Sequence, residues 1–187
     1  MILLFVMFLS FVISFTTGFR YENEGQPIHL VPVYAEELRP IYEPIICEQE
    51  LLRDEIIERL DPFSLSESED IIIDVILDSS ERHDVDPLLV VAVGSVESSW
   101  RLHVRGRAGE YGPLQVLPST FYAMGGSNPH DWRESLDIGV KYLAKMLDRA
   151  DGCEELALAY YNAGPSRPQD FVQRITRTYV SNVLSHR

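Results

Sequence analysis

The sequence predicts an all-α, mainly helical protein, and three observations carry that prediction. Apolar residues recur at helical spacing along most of the chain beyond residue 46. Ser, Asp and Pro stand where helix starts need them. No alternating apolar and polar run of useful strand length occurs. With 187 residues, 45% apolar and 24% charged, the chain can bury the core of one ordinary domain and still have residues to spare.

The elements follow in chain order. Met1-Ile2-Leu3-Leu4-Phe5-Val6-Met7-Phe8-Leu9 is unbroken apolar, and Ser10, Ser14, Thr16 and Thr17 dilute it towards Gly18. The stretch falls short of the roughly 20 apolar residues of a spanning helix. It has the length of a signal-peptide apolar region, with small residues at Thr16 and Gly18 for cleavage, but no basic start beyond the α-amino group. Residues 1–18 are therefore expected to be a signal peptide or a membrane anchor, two close competitors. Pro27, Pro32, Pro40 and Pro44 preclude a long helix over residues 19–45 and predict an extended linker. Helical spacing begins near Cys47, with Leu51, Leu52, Ile56, Ile57 and Leu60 on one face, and stops before Pro62. On this reading residues 19–65 are a Pro-rich linker and acidic helix, and residues 66–187 are a separate domain.

Within that domain, a capping-box arrangement from Ser66 to Glu69 opens a helix through Ile72, Ile73, Val75, Ile76 and Leu77. Asp86-Pro87, an N-cap followed by Pro at the first helical position, opens the next. Residues 101–117 read as loop, punctuated by Gly106, Gly109, Gly112 and Pro113. Pro118 starts a short helix that Gly125-Gly126 closes. Longer helices are expected at about 133–149 and 154–161, and one or two more between 168 and 185.

Charge is unevenly distributed. Residues 20–86 carry five basic and nineteen acidic side chains, and residues 87–187 carry eleven basic and ten acidic, so the net −13 resides before Pro87. No basic stripe stands out, which argues against nucleic acid as a ligand. Cys47 and Cys153 form no CxxC and no metal-binding spacing. In an exported chain they either pair, tying the front segment to the later domain, or stay as two thiols. The histidines are scattered without the spacing of a zinc helix, and neither a metal nor another cofactor is expected.

The residue that carries chemistry is Glu97, at the end of the apolar run Val90-Val91-Ala92-Val93-Gly94-Ser95-Val96. A carboxylate in such a run pays for desolvation, which raises its pKa and suits it to general acid work near neutral pH. Tyr161 and Asn162 stand at a helix end before Gly164-Pro165, a turn that can aim both side chains into a cleft. Trp100, Arg101, His103, Arg105 and Arg107 follow Glu97 closely. They read either as an exposed loop offsetting acid or as a patch for carboxylates of a substrate.

From about residue 70 to the end, this chain resembles the catalytic domain of the soluble lytic transglycosylase family, which has a lysozyme-like fold. The residues carrying the resemblance are Glu97-Ser98, Gly112-Pro113-Leu114-Gln115 and Ala159-Tyr160-Tyr161-Asn162-Ala163-Gly164-Pro165. Ser135-Leu136-Asp137-Ile138-Gly139, Tyr142-Leu143 and Thr176-Arg177-Thr178-Tyr179-Val180 support them. The resemblance implies that residues 66–187 are a lytic transglycosylase catalytic domain with Glu97 as acid and base. It further implies that Gln115, Tyr161, Asn162, Ser98 and Leu114 contact substrate or order the site, with Tyr161 orienting Glu97 or the sugar. Leu114 replaces a family Met, and Pro113 removes a backbone donor.

The implied substrate is the glycan strand of peptidoglycan, cut between MurNAc and GlcNAc with formation of 1,6-anhydro-MurNAc. The implied location is the periplasm or cell envelope, with membrane attachment through the N-terminal segment or membership of an envelope-spanning or virion assembly. Glycoside hydrolysis normally uses two carboxylates. Glu110 is the one motif-adjacent candidate for a second, so a lysozyme-type hydrolase is the first alternative. A non-catalytic wall-binding assembly module is the other.

Overall fold

The computed structural model describes residues 48–187 in full, together with the backbone of residues 19–20, 31–32 and 39–47. The expected signal or anchor, residues 1–18, lies outside the described residues. Among those described, no helix is long and apolar enough to cross a membrane. The architecture is helical, as the periodicity requires. Two compact units are present, one reaching to Leu52 and one spanning Arg53–Arg187.

In the first unit, β1 (Phe19–Arg20) pairs antiparallel with β2 (Val31–Pro32), Phe19 opposite Pro32. Among the described residues this two-residue ladder is the one pair of strands beside the helices. Helix α1 covers Arg39–Leu60 and so begins inside the expected linker, ahead of Cys47. Pro40 tolerates this because the first turn has no partner for its missing N–H; Pro44, a turn later, forfeits one helical bond.

The final turns of α1 belong to the second unit, which therefore starts ahead of Ser66. Ile56 and Leu60 have no exposure at all, and Arg53 Nη1 donates to Asp74 Oδ1 at 2.8 Å. Helix α2 (Glu69–His83) is capped by Ser68 rather than Ser66, without a side-chain bond. Helix α3 (Pro87–Ser98) starts as expected, with Asp86 Oδ1 accepting from the Leu88 N–H at 2.9 Å. Its residues Val90 to Val93 are wholly buried, which explains its uniformly apolar sequence: this is a central helix, covered on all sides.

Helix α4 (Pro118–Ala123) is short, and α5 (Trp132–Arg149) is the long amphipathic one. Leu136, Val140 and Leu143 form the buried stripe of α5, which packs on α2 and on α6 (Glu154–Ala163). Helices α7 (Gln169–Ile175) and α8 (Arg177–Leu184) close the unit, α8 lying against both α3 and α6. That packing brings the C-terminal end of the chain to the helix that carries Glu97. The 101–117 segment is more ordered than a plain loop, with isolated bridges joining Arg105 to Tyr111 and Tyr111 to Val116.

Candidate active site

The site is built from four stretches of sequence, and the first is the end of α3. After Ser98 the chain reverses through Ser99 (φ 53°) and Trp100 (φ 55°), both left-handed and neither a glycine. Such residues cost of order 1–2 kcal/mol each and persist only where packing imposes them. Here the packing is Trp100, which is fully buried. Its indole Nε1–H donates to the Val91 carbonyl at 3.2 Å. The ring lies so close over Gly94 that a Cβ there would sit 2.6 Å from Cζ2. Trp100 is thus the anchor that ends α3, not a member of an exposed basic patch. Ser98 is also buried, with Oγ donating to the Gly94 carbonyl at 3.3 Å, so it is a helix residue and does not reach substrate.

The second stretch is Gly112 to Gln115. Gly112 has φ 76° and passes tight against Ser135 of α5, a position open only to glycine. Leu114 follows with no exposure, packed on Gly139. Its side chain therefore fills core and cannot pack on a sugar, contrary to the expected substrate contact; the carbonyl is the part that serves the site. Gln115 lines the cleft with φ 47°, and its Nε2 donates to the Gly112 carbonyl at 2.8 Å. The amide holds the turn that presents it.

The third stretch is the end of α6. Tyr161 is buried, with Oη donating to the Leu114 carbonyl at 2.7 Å, which clamps the second stretch to the third. Its ring lies 5.1 Å from that of Tyr142 on α5, and both rings wall the cleft. Asn162 is exposed on the rim. Gly164, at φ 85°, ends the helix.

The fourth is α8. Tyr179 Oη donates to Glu97 Oε1 at 2.7 Å, so the hydroxyl that bonds Glu97 is that of Tyr179, while the Tyr161 hydroxyl goes to the Leu114 carbonyl. Tyr179 sits in a motif that supports the family resemblance, yet nothing local distinguishes it from an ordinary packing aromatic. Only the docking of α8 on α3 reveals its role.

The first three stretches, with Glu110 and with Tyr142 of α5, border a cleft of about 420 Å³ lined by Glu97, Glu110, Gln115, Tyr142, Tyr161 and Asn162, among others. Burial drives the Glu97 pKa up from 4.5 to about 7; the Tyr179 hydrogen bond opposes the rise and the nearby Glu110 adds to it. Tyr161 and Tyr179 are both pushed well above the usual phenol range, chiefly by burial and further by Glu97, so they remain neutral donors. Glu110 Oε2 accepts from the Ala108 N–H at 3.0 Å, which ties that carboxylate to its own loop. Cys153 is exposed with Sγ 3.5 Å from Glu155 Oε2; the Cys47 side chain lies outside the described residues.

A buried acid with a raised pKa, in a cleft that Tyr142 and Tyr161 also line, is suited to protonate an ether or glycosidic oxygen near neutral pH. Residues 74–178 match the model of the Transglycosylase SLT domain, and the chain belongs to that family. It is 36% identical over 98 residues to a membrane-bound lytic murein transglycosylase F of Pseudomonas syringae pv. syringae, covering 49% of this chain and 20% of that one. The Cellvibrio japonicus protein of the same name is 32% identical over 103 residues, covering 52% and 21%. The chain thus spans about a fifth of the length of these curated relatives.

Among solved structures, the fold is similar to that of the 70 kDa soluble lytic transglycosylase of Escherichia coli. There the TM-score is 0.55 at 23% identity, over 60% of this chain and 23% of that one. An inactive mutant of the lytic transglycosylase Slt of Pseudomonas aeruginosa gives a TM-score of 0.53 at 21% identity, over 60% and 22%. Both show the lysozyme-like fold.

Proposed function

We propose that this chain is a peptidoglycan lytic transglycosylase that cleaves the β-1,4 bond between MurNAc and GlcNAc and leaves a 1,6-anhydro-MurNAc end. The observation that carries the reading is the state of Glu97: a pKa of about 7, with Oε1 held by Tyr179. Such an acid can act twice in one cycle. Protonated, it donates to the glycosidic oxygen as the C1–O bond breaks, and positive charge spreads over C1 and the ring oxygen. The N-acetyl group of the same sugar offsets that charge, the task a second carboxylate performs in two-carboxylate glycosidases. Glu97, now a carboxylate, removes the proton of the C6 hydroxyl as O6 bonds to C1. The acid is regenerated and no water is consumed.

The relatives' names as lytic murein transglycosylases support the substrate, and a 70 kDa soluble lytic transglycosylase of similar fold has been solved in complex with bulgecin A. Asn162 and Gln115 supply polar contacts at the rim and wall, and Tyr142 with Tyr161 supplies aromatic surface for the sugars. This function requires the protein to act in the cell envelope, outside the cytoplasm, with residues 1–18 as cleaved signal or retained anchor. Mass spectrometry of products from purified walls tests the reaction: anhydro ends, lighter by one water than hydrolysed chains, are expected.

A second reading has one observation in its favour. Glu110 lines the same cleft and acts electrostatically on Glu97, the arrangement a hydrolase would use. Reducing-end products together with an inactive Glu110→Gln variant would replace the transglycosylase reading with that one.

A further inference from the structure

We infer that Arg107 is the cation with which the cleft engages a carboxylate of its substrate, and that it sets a preference for glycan strands that carry free carboxylates. The inference rests on the peptidoglycan reading above and narrows its specificity.

Of the residues following Glu97, the structure assigns most to other work. Trp100 is core, Arg101 Nε donates to the Ser98 carbonyl at 2.8 Å, and the Arg105 guanidinium lies 5.6 Å from the centre of the Tyr111 ring. Arg107 alone of the group lines the cleft, and it is the single cation among the cleft-lining residues. Among the described residues its guanidinium has no ion-pair, hydrogen-bond or aromatic partner, although Glu110 is three positions away. That carboxylate is held instead by the Ala108 N–H.

The backbone beneath Arg107 is hydrogen-bonded to itself. The Gly106 N–H donates to the Glu110 carbonyl at 2.9 Å, the Gly109 N–H returns to the Gly106 carbonyl at 3.2 Å, and the Arg105–Tyr111 bridge closes the base. A hydrogen-bonded hairpin tip thus presents an exposed guanidinium, unpaired among the described residues, to a cleft whose other charged lining residues are acids. In a protein of net charge −13, an anionic polymer entering such a cleft gains most from the one cation there. The planar fork of arginine matches a carboxylate in two parallel hydrogen bonds.

Peptidoglycan offers that carboxylate from two sources. Stem peptides bear free carboxylates, and strands stripped of peptide expose the lactyl carboxylate of MurNAc itself. The test compares wild type, Arg107→Gln and Arg107→Lys on three soluble strand preparations: peptide-bearing, peptide-stripped by an amidase, and peptide-stripped with the lactyl carboxyl converted to an amide. Lys145→Gln, which removes a positive charge on an exposed face of α5 away from the cleft lining, controls for net charge.

Arg107→Gln is expected to raise KM about tenfold on carboxylate-bearing strands with kcat little changed, the lower range for a hydrogen bond to a charged group. Lys should restore part of the loss, and the difference from wild type should vanish on the amidated strands. A loss confined to peptide-bearing strands identifies the stem as the source; a loss retained on stripped strands identifies the lactyl group. Equal KM for wild type and Arg107→Gln on all three, or a loss matched by Lys145→Gln, overturns the inference. Absence of cleavage by wild type would instead count against the proposed function. In that case, pelleting of Glu97→Gln with insoluble walls, with and without Arg107→Gln, still reads the contact.

Discussion

Tyr179 Oη donates to Glu97 Oε1 at 2.7 Å, across 82 positions of sequence, and this bond couples the last helix of the chain to its acid. The bond stabilises the carboxylate form, so it works against the burial that raises the Glu97 pKa. Tyr179→Phe should therefore move the alkaline limb of kcat/KM to higher pH, because Glu97 would stay protonated further. Activity at the optimum should fall about tenfold as the acid loses its orientation. An alkaline limb unmoved in a folded Tyr179→Phe protein would show that Tyr179 does not tune the acid.

Glu97→Gln removes the transferable proton while keeping shape. Wall-lysing activity is expected to drop by at least about 10²–10⁴-fold. Near-wild-type lysis by the folded variant would end the assignment of Glu97.

The same substitution has a signature in stability. Between pH 4.5 and about 7 the folded chain holds a proton on Glu97 that the unfolded chain has released, so stability falls as pH rises through that window. The fall amounts to about 3 kcal/mol at about 1.4 kcal/mol per pH unit. Glu97→Gln should lack this slope and be the more stable protein above pH 7. Urea denaturation of both proteins at pH 5 and pH 8 measures the difference, and parallel pH profiles would contradict it.

Gly94→Ala tests the anchor beneath the site. Its methyl group would fall 2.6 Å from the buried Trp100 ring and must displace it. A loss of about 1–3 kcal/mol is expected from overpacking, despite the better helix propensity of alanine. Activity should fall more than stability alone explains, since the Ser99–Trp100 reversal sets where α3 ends. A thermal melt at or above the wild-type midpoint would refute the packing argument.

The start of the second unit is testable by shortening. A chain beginning at Ser66 lacks Ile56 and Leu60, both without exposure, and should be unstable or insoluble where one beginning near Arg39 folds. Ile56→Ala in the full chain should cost about 2–5 kcal/mol. A stable, lytic chain from Ser66 would return α1 to the role of a tether.

Local chemistry was enough for much of this. Asp86-Pro87 marks the start of α3 because capping and a fixed φ act within a few residues. The amphipathic stripe of α5 is legible because one face of a helix repeats at a constant spacing. Glu97 stands out as a carboxylate in an apolar run, and the order of its accompanying motifs identifies the family. Tertiary structure decided the rest. Leu114 and Ser98 lie in cleft motifs, yet burial turns both side chains inward, and which face of a turn meets the core is not a local property. Trp100 among basic residues reads as surface until Gly94 is seen to make room for its ring. Tyr179 has no signal of its own, because a hydrogen bond between α3 and α8 depends on how the helices dock. Sequence spacing determined which segments become helices and where an acid would be costly; packing decided which hydroxyl steadies that acid, and how far burial raises its pKa.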